Sequence, residues 1–180
     1  MDGIPDLDVD SSEFRRILSH YPTGVCVVTA AGPAGPIGMV VGSFTSVSLQ
    51  PPLVAFLPDR RSTTWPKIEA VGSFCVNVLA EGQREVCGML TSKEGRRFDA
   101  IPHRQSVGGS PILDGVVAWI DCRLHAVHEA GDHFIAIGLV RALDVECSGR
   151  PMVFLRGGYG GARQSNEISD DAANLEGNVR

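Results

Sequence analysis

The chain has 180 residues, of which 43% are hydrophobic and 21% are charged. One domain of ordinary size accounts for this length, and the composition excludes a disordered or fibrous chain. The formal net charge is −5, from 16 basic and 21 acidic residues, so the sequence argues against binding to nucleic acid.

Neither the start of the chain nor its cysteines indicate export or a membrane. Residues 1–10 are acidic and contain Pro5, whereas a signal peptide begins with basic residues and continues with an apolar stretch. The apolar runs are far shorter than the roughly 20 residues that span a bilayer. The cysteines are Cys26, Cys75, Cys87, Cys122 and Cys147. Their odd number and scattered spacing favour reduced thiols in a cytoplasmic protein, with no metal site.

Three helices are predicted from apolar periodicity. The first covers 14–20, where apolar side chains recur on one face. The second covers 62–71, with Ser62 or Thr63 as its N-cap and a proline in its first turn. The third covers 83–91. All three are short, so helices form a minor part of the expected fold.

Strands account for most of the remaining pattern. Runs rich in β-branched residues, or alternating apolar and polar residues, predict strands at 24–30, 37–41, 47–49, 53–57, 74–79, 116–127, 134–146 and 151–155. The alternation within 116–127 places Asp121, Arg123 and His125 on its polar face. The segments 96–109 and 156–161 are predicted as loops, the second because of its glycines.

The order of these elements favours an antiparallel architecture. Helices do not separate the strands regularly, so a doubly wound parallel sheet is excluded, and a closed or half-closed antiparallel barrel explains the strand spacing. The 21 glycines and 11 prolines supply the turns that such a barrel needs. We therefore predict one mainly β domain over 12–161, with a flexible arm at 1–11 and a flexible tail at 162–180.

Hydroxyl-bearing residues are concentrated in two neighbouring segments. Within 38–52, four hydroxyl side chains fall close together beside Gly42 and before two prolines: Ser43, Thr45, Ser46 and Ser48. Such short side chains can hydrogen-bond the edge of a planar polar ligand, although a strand with a wet face of Ser and Thr gives the same pattern.

The second segment, 59–67, places three hydroxyls beside Arg60 and Arg61 at a predicted helix start. This combination suits a phosphate group, and an ordinary N-cap is the alternative interpretation. Taken together, the two segments fit a phosphorylated planar cofactor. Three other places carry reactive or mobile groups: the turn with Asp132 and His133, the pair Arg96-Arg97 beside Phe98, and the glycine-rich stretch with Arg156 and Tyr159.

These segments follow one another in an order that resembles the flavin-reductase-like family of small NAD(P)H:flavin oxidoreductases. The matching segments are YPTG with VCVVTA, GMVVGSFTSVSLQPPLVAF, RSTTWPKI, GSFCVNVLAEGQ, Arg97-Phe98, GSPILDG, AWIDCRLHAVHEAGDHFIAIGLV and GGYG. They cover about residues 12–161. The resemblance implies an FMN-binding split β-barrel, with Greek-key-like antiparallel topology, that forms a homodimer with flavin near the subunit interface.

The resemblance also implies a set of site residues. Those expected at the flavin ring and ribityl chain are Val40, Val41, Ser43, Phe44, Thr45, Ser46, Leu57 and Pro58. Those expected at its phosphate and at the edge of the flavin site are Ser62, Thr64, Trp65, Arg97 and Phe98. Those expected at the nicotinamide nucleotide are His133, Arg156 and Tyr159. No general base is implied, because hydride passes directly from nicotinamide to flavin.

Two positions depart from the family pattern. Relatives often carry Thr where this chain has Val40, and Ser or Asn where it has Gly42. Two side-chain hydrogen bonds to flavin would then be missing. Either backbone groups replace them or flavin binds more weakly, and weak binding would suit an enzyme that releases its flavin.

Two functions are compatible with the pattern. The first is an NADH-dependent reductase of FMN, or of FAD, that supplies reduced flavin to a partner monooxygenase. The absence of an evident extra arginine for a 2′-phosphate favours NADH over NADPH. The alternative is a flavin-binding electron carrier or sensor without steady NADH turnover.

Overall fold

A computed structural model of the chain describes residues 9–91 and 98–162. Its helices are α1 (Ser11–Leu18), α2 (Trp65–Val71) and α3 (Arg84–Thr91), with a 3-10 helix at Phe98–Ala100. Its strands are β1 (Thr23–Gly24), β2 (Cys26–Gly32), β3 (Gly35–Val41), β4 (Thr45–Leu49), β5 (Pro52–Phe56), β6 (Ser73–Val78), β7 (His103–Gln105), β8 (Pro111–Leu113), β9 (Ala118–Ala130), β10 (His133–Val145), β11 (Met152–Leu155) and β12 (Gly158–Gly161).

The strands pair in antiparallel sheets. The main sheet has seven strands in the order β3-β2-β6-β9-β10-β5-β4, while β1, β11 and β12 form a second sheet and β7 pairs with β8. The long strands β9 and β10 pair from Ala118 to Ala130, and a tight turn joins them at one end of the sheet. The mainly β, antiparallel architecture predicted from the sequence is confirmed.

Apolar side chains pack on both faces of the main sheet. Val27 and Val28, adjacent on β2, belong to different buried clusters because successive side chains of a strand point to opposite faces. Helix α2 covers one face with Trp65 and Ile68, and α3 covers the other with Leu90. This arrangement fixes the start of α2 beside the ends of β3 and β5.

Three boundaries differ from the sequence prediction. Helix α1 begins at Ser11 rather than at 14, because the Asp10 side chain accepts a hydrogen bond from the Glu13 amide at 3.3 Å and caps it. Strand β7 lies inside the predicted loop 96–109, and β12 lies inside the predicted loop 156–161. Each is a short strand that pairs with its neighbour along the chain, β7 with β8 and β12 with β11, and is too short and too poor in alternating apolar residues for the local sequence to reveal it.

Asp121 differs most from its predicted surroundings. It lies on the polar face of β9, yet it is 0% exposed. Its Oδ1 accepts a hydrogen bond from the Ser106 hydroxyl at 2.7 Å, and its Oδ2 lies 3.1 Å from the Arg141 guanidinium. The segment between β7 and β8 covers this carboxylate, so the polar face of β9 is only partly open to solvent.

Helix α1 has no buried residue and leaves its apolar face uncovered. Phe14, Ile17 and Leu18 are each more than 50% exposed. None of the described helices is long and apolar enough to span a membrane. The predicted arm 1–11 and tail 162–180 fall largely outside the described residues, so their boundaries stay predictions.

Candidate functional site

A cavity of about 440 Å³ opens where β3, β5 and β10 meet the segment leading into α2. Its volume falls within the range of small-molecule sites. Several residues predicted from the sequence line it together: Val40, Val41, Ser43, Leu57, Pro58, Ser62 and His133. They come from four separate parts of the chain. β3 lies at one edge of the seven-stranded sheet and β5 lies next to the other edge, and the hydrogen bond between Ser43 and Leu57 shows that the sheet curves until the ends of these two strands meet.

One wall of the cavity is held by Ser43. Its hydroxyl oxygen accepts a hydrogen bond from the Leu57 backbone amide at 2.9 Å, which ties the end of β3 to the end of β5. Val40, Val41 and Leu57 also line the cavity here, with the side chains of Val40 and Val41 on opposite faces of β3. An apolar wall with a few fixed polar groups suits a planar aromatic ligand.

A second wall is formed at Ser62. Its hydroxyl oxygen accepts hydrogen bonds from the amides of Thr64, at 3.2 Å, and Trp65, at 3.1 Å, just before the helix. The N-cap residue of α2 is Thr64, so the predicted N-cap at Ser62 or Thr63 and the predicted helix start at 62 were wrong by one to three residues. Thr64 and Trp65 are 3% and 1% exposed, and neither lines the cavity. The Trp65 ring packs edge-on against Phe56, with centroids 5.5 Å apart, so it supports the wall from the core.

The turn between β9 and β10 contributes His133. The Nδ1 atom of His133 lies 2.7 Å from Oδ1 of Asp132, and this hydrogen bond lowers the pKa of the Asp132 carboxyl group. Two backbone contacts attach the turn to the segment after β5. The Phe134 amide donates a hydrogen bond to the Pro58 carbonyl oxygen at 2.9 Å, and Asp59 pairs with His133 in an isolated antiparallel β-bridge. His133 therefore stands at the rim, opposite Val41.

The charged residues at the rim are already paired. The Arg61 guanidinium lies 2.9 Å from the Asp59 carboxylate and holds the pKa of that carboxyl group at about 2. Arg60 lies 3.3 Å from Glu129 and stacks over the Phe134 ring, with the guanidinium carbon 5.4 Å from the ring centroid. Both arginines still lie beside Ser62, where an anion would meet positive charge.

A smaller cavity of about 150 Å³ adjoins the first through Val40, Val41 and Gly42. Tyr159, one of the predicted nucleotide residues, lines it together with Thr23 and Phe154, which the sequence analysis did not select. Thr23 belongs to the YPTG motif, so that motif was an available signal. Burial raises the pKa of the Tyr159 hydroxyl, and the ring lies against Phe154 with centroids 5.3 Å apart.

Gly42 permits the close approach of two strands at this junction. A Cβ atom added at Gly42 would lie 2.9 Å from the Thr23 hydroxyl oxygen. The Ser or Asn that relatives often carry at this position would therefore require Thr23 to shift. The glycine at position 42, where this chain departs from the family pattern, therefore accompanies the close position of Thr23.

The other predicted residues do not line these two cavities. Phe44 is half-buried and packs against the core, while Thr45 and Ser46 are exposed on β4. Phe98 is 4% exposed and lines a different cavity. Arg97 lies outside the described residues.

Arg156 points elsewhere. Its guanidinium donates a hydrogen bond to Nδ1 of His20 at 2.7 Å, and its backbone has a φ of 49°, in the left-handed region. The contact joins the β11–β12 turn to the end of α1. Among residues 9–91 and 98–162, no group of His, Cys, Asp and Glu side chains is arranged to hold a metal ion.

The sequence of this chain is similar to those of known flavin reductases. The family model described as "Flavin reductase like domain" matches residues 18–163. A flavin reductase from Pseudomonas putida is 60% identical over 154 residues, which cover 85% of this chain and 91% of the relative. The reductase subunit HsaB of a flavin-dependent monooxygenase from Rhodococcus jostii (strain RHA1) is 43% identical, over 89% of this chain and 82% of the relative.

A solved structure supports the same assignment. The NADH:FAD oxidoreductase SgcE6 of Streptomyces globisporus C-1027, in complex with NAD and FAD fragments, superposes with a TM-score of 0.79 at 32% identity. The superposition covers 89% of this chain and 96% of that protein. Similarity in fold and in sequence thus extends over nearly the whole described chain.

Proposed function

This chain belongs to the flavin-reductase-like family, and we propose that the cavity lined by Ser43, Ser62 and His133 is where it holds the flavin that it reduces. The fold is the split barrel of that family, and the chain is an NAD(P)H:flavin oxidoreductase that supplies reduced flavin to a partner monooxygenase. Flavin and NADH are its cofactor and co-substrate. The single observation that carries the proposal is that six of the predicted flavin residues and one predicted nucleotide residue, His133, line one cavity.

The cavity suits a flavin by its shape and by its chemistry. Val40, Val41, Leu57 and Pro58 give an apolar wall for the ring, and the Ser43 bond to Leu57 keeps two strand ends in register. FMN, or FAD, supplies the chemistry, because bound flavin accepts a hydride from the nicotinamide of NADH. The protein sets the distance and orientation of the two ring systems and excludes water, without a side chain that transfers a proton.

The phosphate end of the flavin is assigned to Ser62. Its hydroxyl lies on the cavity wall, and Arg60 and Arg61 supply positive charge beside it. Thr64 and Trp65 act from beneath the wall, where their burial keeps Ser62 in place. Thr45 and Ser46 belong to β4 and Phe44 directly precedes that strand, so these three residues would meet the flavin where it extends beyond the cavity.

The nicotinamide nucleotide is assigned to the part of the cavity that is lined by His133. His133 faces the cavity from the β9–β10 turn, and Tyr159 lines the adjoining cavity beyond Val41. Arg156 lies on the same β11–β12 hairpin as Tyr159 and bonds to His20, so it holds the hairpin to α1. This arrangement would let the nucleotide approach across Val40 and Val41, over the ring.

The defining experiment measures NADH oxidation at 340 nm with added FMN, FAD or riboflavin. His133→Ala should raise the KM for NADH about tenfold, the loss expected for a hydrogen bond to a charged group, with flavin affinity unchanged. Ser62→Ala should weaken flavin binding. Asp10→Ala is the control, because it removes the N-cap of α1, a helix that does not line the cavity. It shows what loss of hydrogen bonds at a helix start does without any contact to the flavin. Wild-type NADH kinetics in His133→Ala would remove this residue from the nucleotide site.

A homodimer would cover the apolar face of α1. Phe14, Ile17 and Leu18 are more than 50% exposed, an apolar surface that one copy of the chain leaves open. Ile17→Glu should shift the mass measured by light scattering from two chains to one, whereas Arg15→Glu on the polar face should not. A monomeric wild-type protein would contradict the dimer. We also assign the protein to the cytoplasm, because its five cysteines are free.

A further inference from the structure

A second and larger cavity, of about 950 Å³, lies between the β2–β3 hairpin and α2. Its walls are Ala31 to Gly38 on one side, α2 on the other, and Phe98 at one end. Neither the reaction nor the sites described above use it. We propose that this groove binds the adenosine monophosphate half of FAD, so that the enzyme takes FAD in preference to FMN.

Continuity with the flavin cavity is the first argument. The strand β3 lines the groove with Ile37 and Gly38, and it lines the flavin cavity with the next residues, Met39 to Val41. On the opposite side, Ser62 lines the flavin cavity, while Pro66 and Lys67 line the groove. The two cavities therefore lie next to each other along β3 and along the segment that runs from Ser62 into α2, and we infer that a ligand extending past Ser62 along α2 would enter the groove.

Charge is the second argument. Lys67 is the one charged side chain on the described groove wall, and no carboxylate of the described residues lies within 4 Å of its ammonium group. FAD extends FMN by a second phosphate followed by adenosine. This ammonium group, which has no carboxylate partner among the described residues, follows Ser62 by five residues, where the second phosphate would follow the first.

The shape of the groove is the third argument. Small residues leave its floor open, notably Gly32, Gly35 and Ala70, and prolines stiffen the hairpin opposite α2. Helix α2 rises about 10 Å over its seven residues, which gives the groove a length comparable with that of an adenosine unit. A flat, mostly apolar slot with one cation at its entrance suits a purine nucleotide.

FAD, rather than NADH, is the expected source of this adenosine. The groove leads away from Ser62, the residue assigned to the flavin phosphate. His133 and Tyr159, assigned to the nicotinamide nucleotide, line the other cavities and not the groove. The inference rests on the proposed function, since it assumes that the flavin phosphate lies at Ser62.

The test compares FAD and FMN on the intact enzyme. Dissociation constants come from quenching of flavin fluorescence, and KM values come from NADH oxidation at 340 nm. Wild-type protein should bind FAD more tightly than FMN. Lys67→Gln should weaken FAD binding about tenfold, as expected for a lost charge-assisted contact, with FMN binding within about twofold of wild type.

A groove-filling variant separates the groove from general effects on α2. Ala70→Phe places a ring in the groove and should weaken FAD binding at least as much as Lys67→Gln, while FMN-dependent turnover persists. Glu69→Phe adds the same ring at a neighbouring exposed position that does not line the groove, and it should leave both flavins unaffected. Circular dichroism and thermal unfolding confirm that each variant folds.

Three outcomes would overturn the inference. Wild-type preference for FMN, or an equal loss of FAD and FMN binding in Lys67→Gln, would remove the adenosine from the groove. A raised KM for NADH with unchanged FAD affinity in Ala70→Phe would assign the groove to the nicotinamide dinucleotide instead. These results differ from failure of the proposed function, which would show as no NADH oxidation with any flavin in the wild-type enzyme.

Discussion

The backbone amide of Arg60 donates a hydrogen bond to the carbonyl oxygen of Asp132, with the two atoms 3.0 Å apart. The side chain of Arg60 adds an ion pair with Glu129 and a stacking contact with Phe134. These contacts join the loop that carries Ser62 to the turn that carries His133. The spacing between the proposed flavin and nucleotide sites therefore depends on Arg60, which acts as a positioning residue.

Replacement of Arg60 by Met should raise the KM for NADH about fivefold with little change in kcat. The magnitude follows from the loss of one exposed ion pair and one cation–π contact, each worth at most about 1 kcal/mol. Arg61→Met is the matched control, because the ion pair of Arg61 is with Asp59 on its own loop, whereas that of Arg60 is with Glu129. Equal effects of the two substitutions on NADH would contradict the positioning role, and Arg60→Lys should restore part of the affinity.

The Asp59–Arg61 pair predicts an unusual carboxyl titration. Hydrogen bonds from Arg61 lower the pKa of Asp59 from 3.8 to about 2. Because the pKa of Asp59 is lower in the folded than in the unfolded state, its ionised form stabilises the folded protein at pH values above the unfolded pKa. This contribution is lost as the pH falls from about 4 towards 2. Carbon NMR of the carboxyl group should show a midpoint near 2 in the wild type and nearer 3.8 in Arg61→Met. A wild-type midpoint near 3.8 would show that the ion pair does not persist in solution.

Much of the fold and of the site was predictable because the sequence signals are local. The β-branched run that gives β2 is visible as 24–30, and the turn before His133 is marked by Gly131. The motifs around Ser43, Ser62 and His133 could be recognised by their order along the chain. Their meeting in one cavity depends on the curvature of the main sheet, since β3 lies at one edge of the strand order while β10 and β5 lie towards the other.

The parts that the sequence did not predict depend on distant contacts. Alternation along β9 gives the face of Asp121, but it cannot show that the segment with Ser106 folds over that face. Thr64 carries a hydroxyl at the start of α2, where a ligand contact was expected. The packing of Trp65 in the core buries Thr64 as well. The groove beside α2 likewise results from the spacing of two elements, to which no single motif corresponds.

The buried carboxylate of Asp121 should make Arg141 important for stability. Arg141→Met leaves that charge without its cationic partner, and we expect the free energy of unfolding to fall by about 2–3 kcal/mol in urea denaturation. The value is at the low end for buried pairs because the Arg141 side chain is 36% exposed. Arg16→Met, which breaks an exposed pair with Glu13, should cost less than about 1 kcal/mol.

A double variant checks the cause of this loss. Asp121→Leu combined with Arg141→Met removes both charges, so it should recover part of the stability that Arg141→Met loses. No recovery would mean that the arginine acts through packing, for example against Gly108, where an added Cβ atom would lie 1.7 Å from its guanidinium.

The cysteines should differ sharply in reactivity although all five are free. Burial raises the pKa of the Cys26 and Cys122 thiols to about 12 and raises that of Cys75 further, so almost none of them is thiolate at pH 8. Cys147 is half-buried at the surface, with its sulfur 3.3 Å from the Val116 carbonyl oxygen. A disulfide reagent at pH 8 should therefore label Cys147 first in the native protein.

Cys147→Ser should remove this first phase of labelling and leave the slow phases unchanged. The slow phases should follow the opening of the sheet, since Cys26, Cys75 and Cys122 lie on the adjacent strands β2, β6 and β9. Ligands that bind the folded state should slow them further, by mass action on the closed form. Rapid labelling of two or more thiols in the native protein would show that these central strands open far more readily than their burial implies.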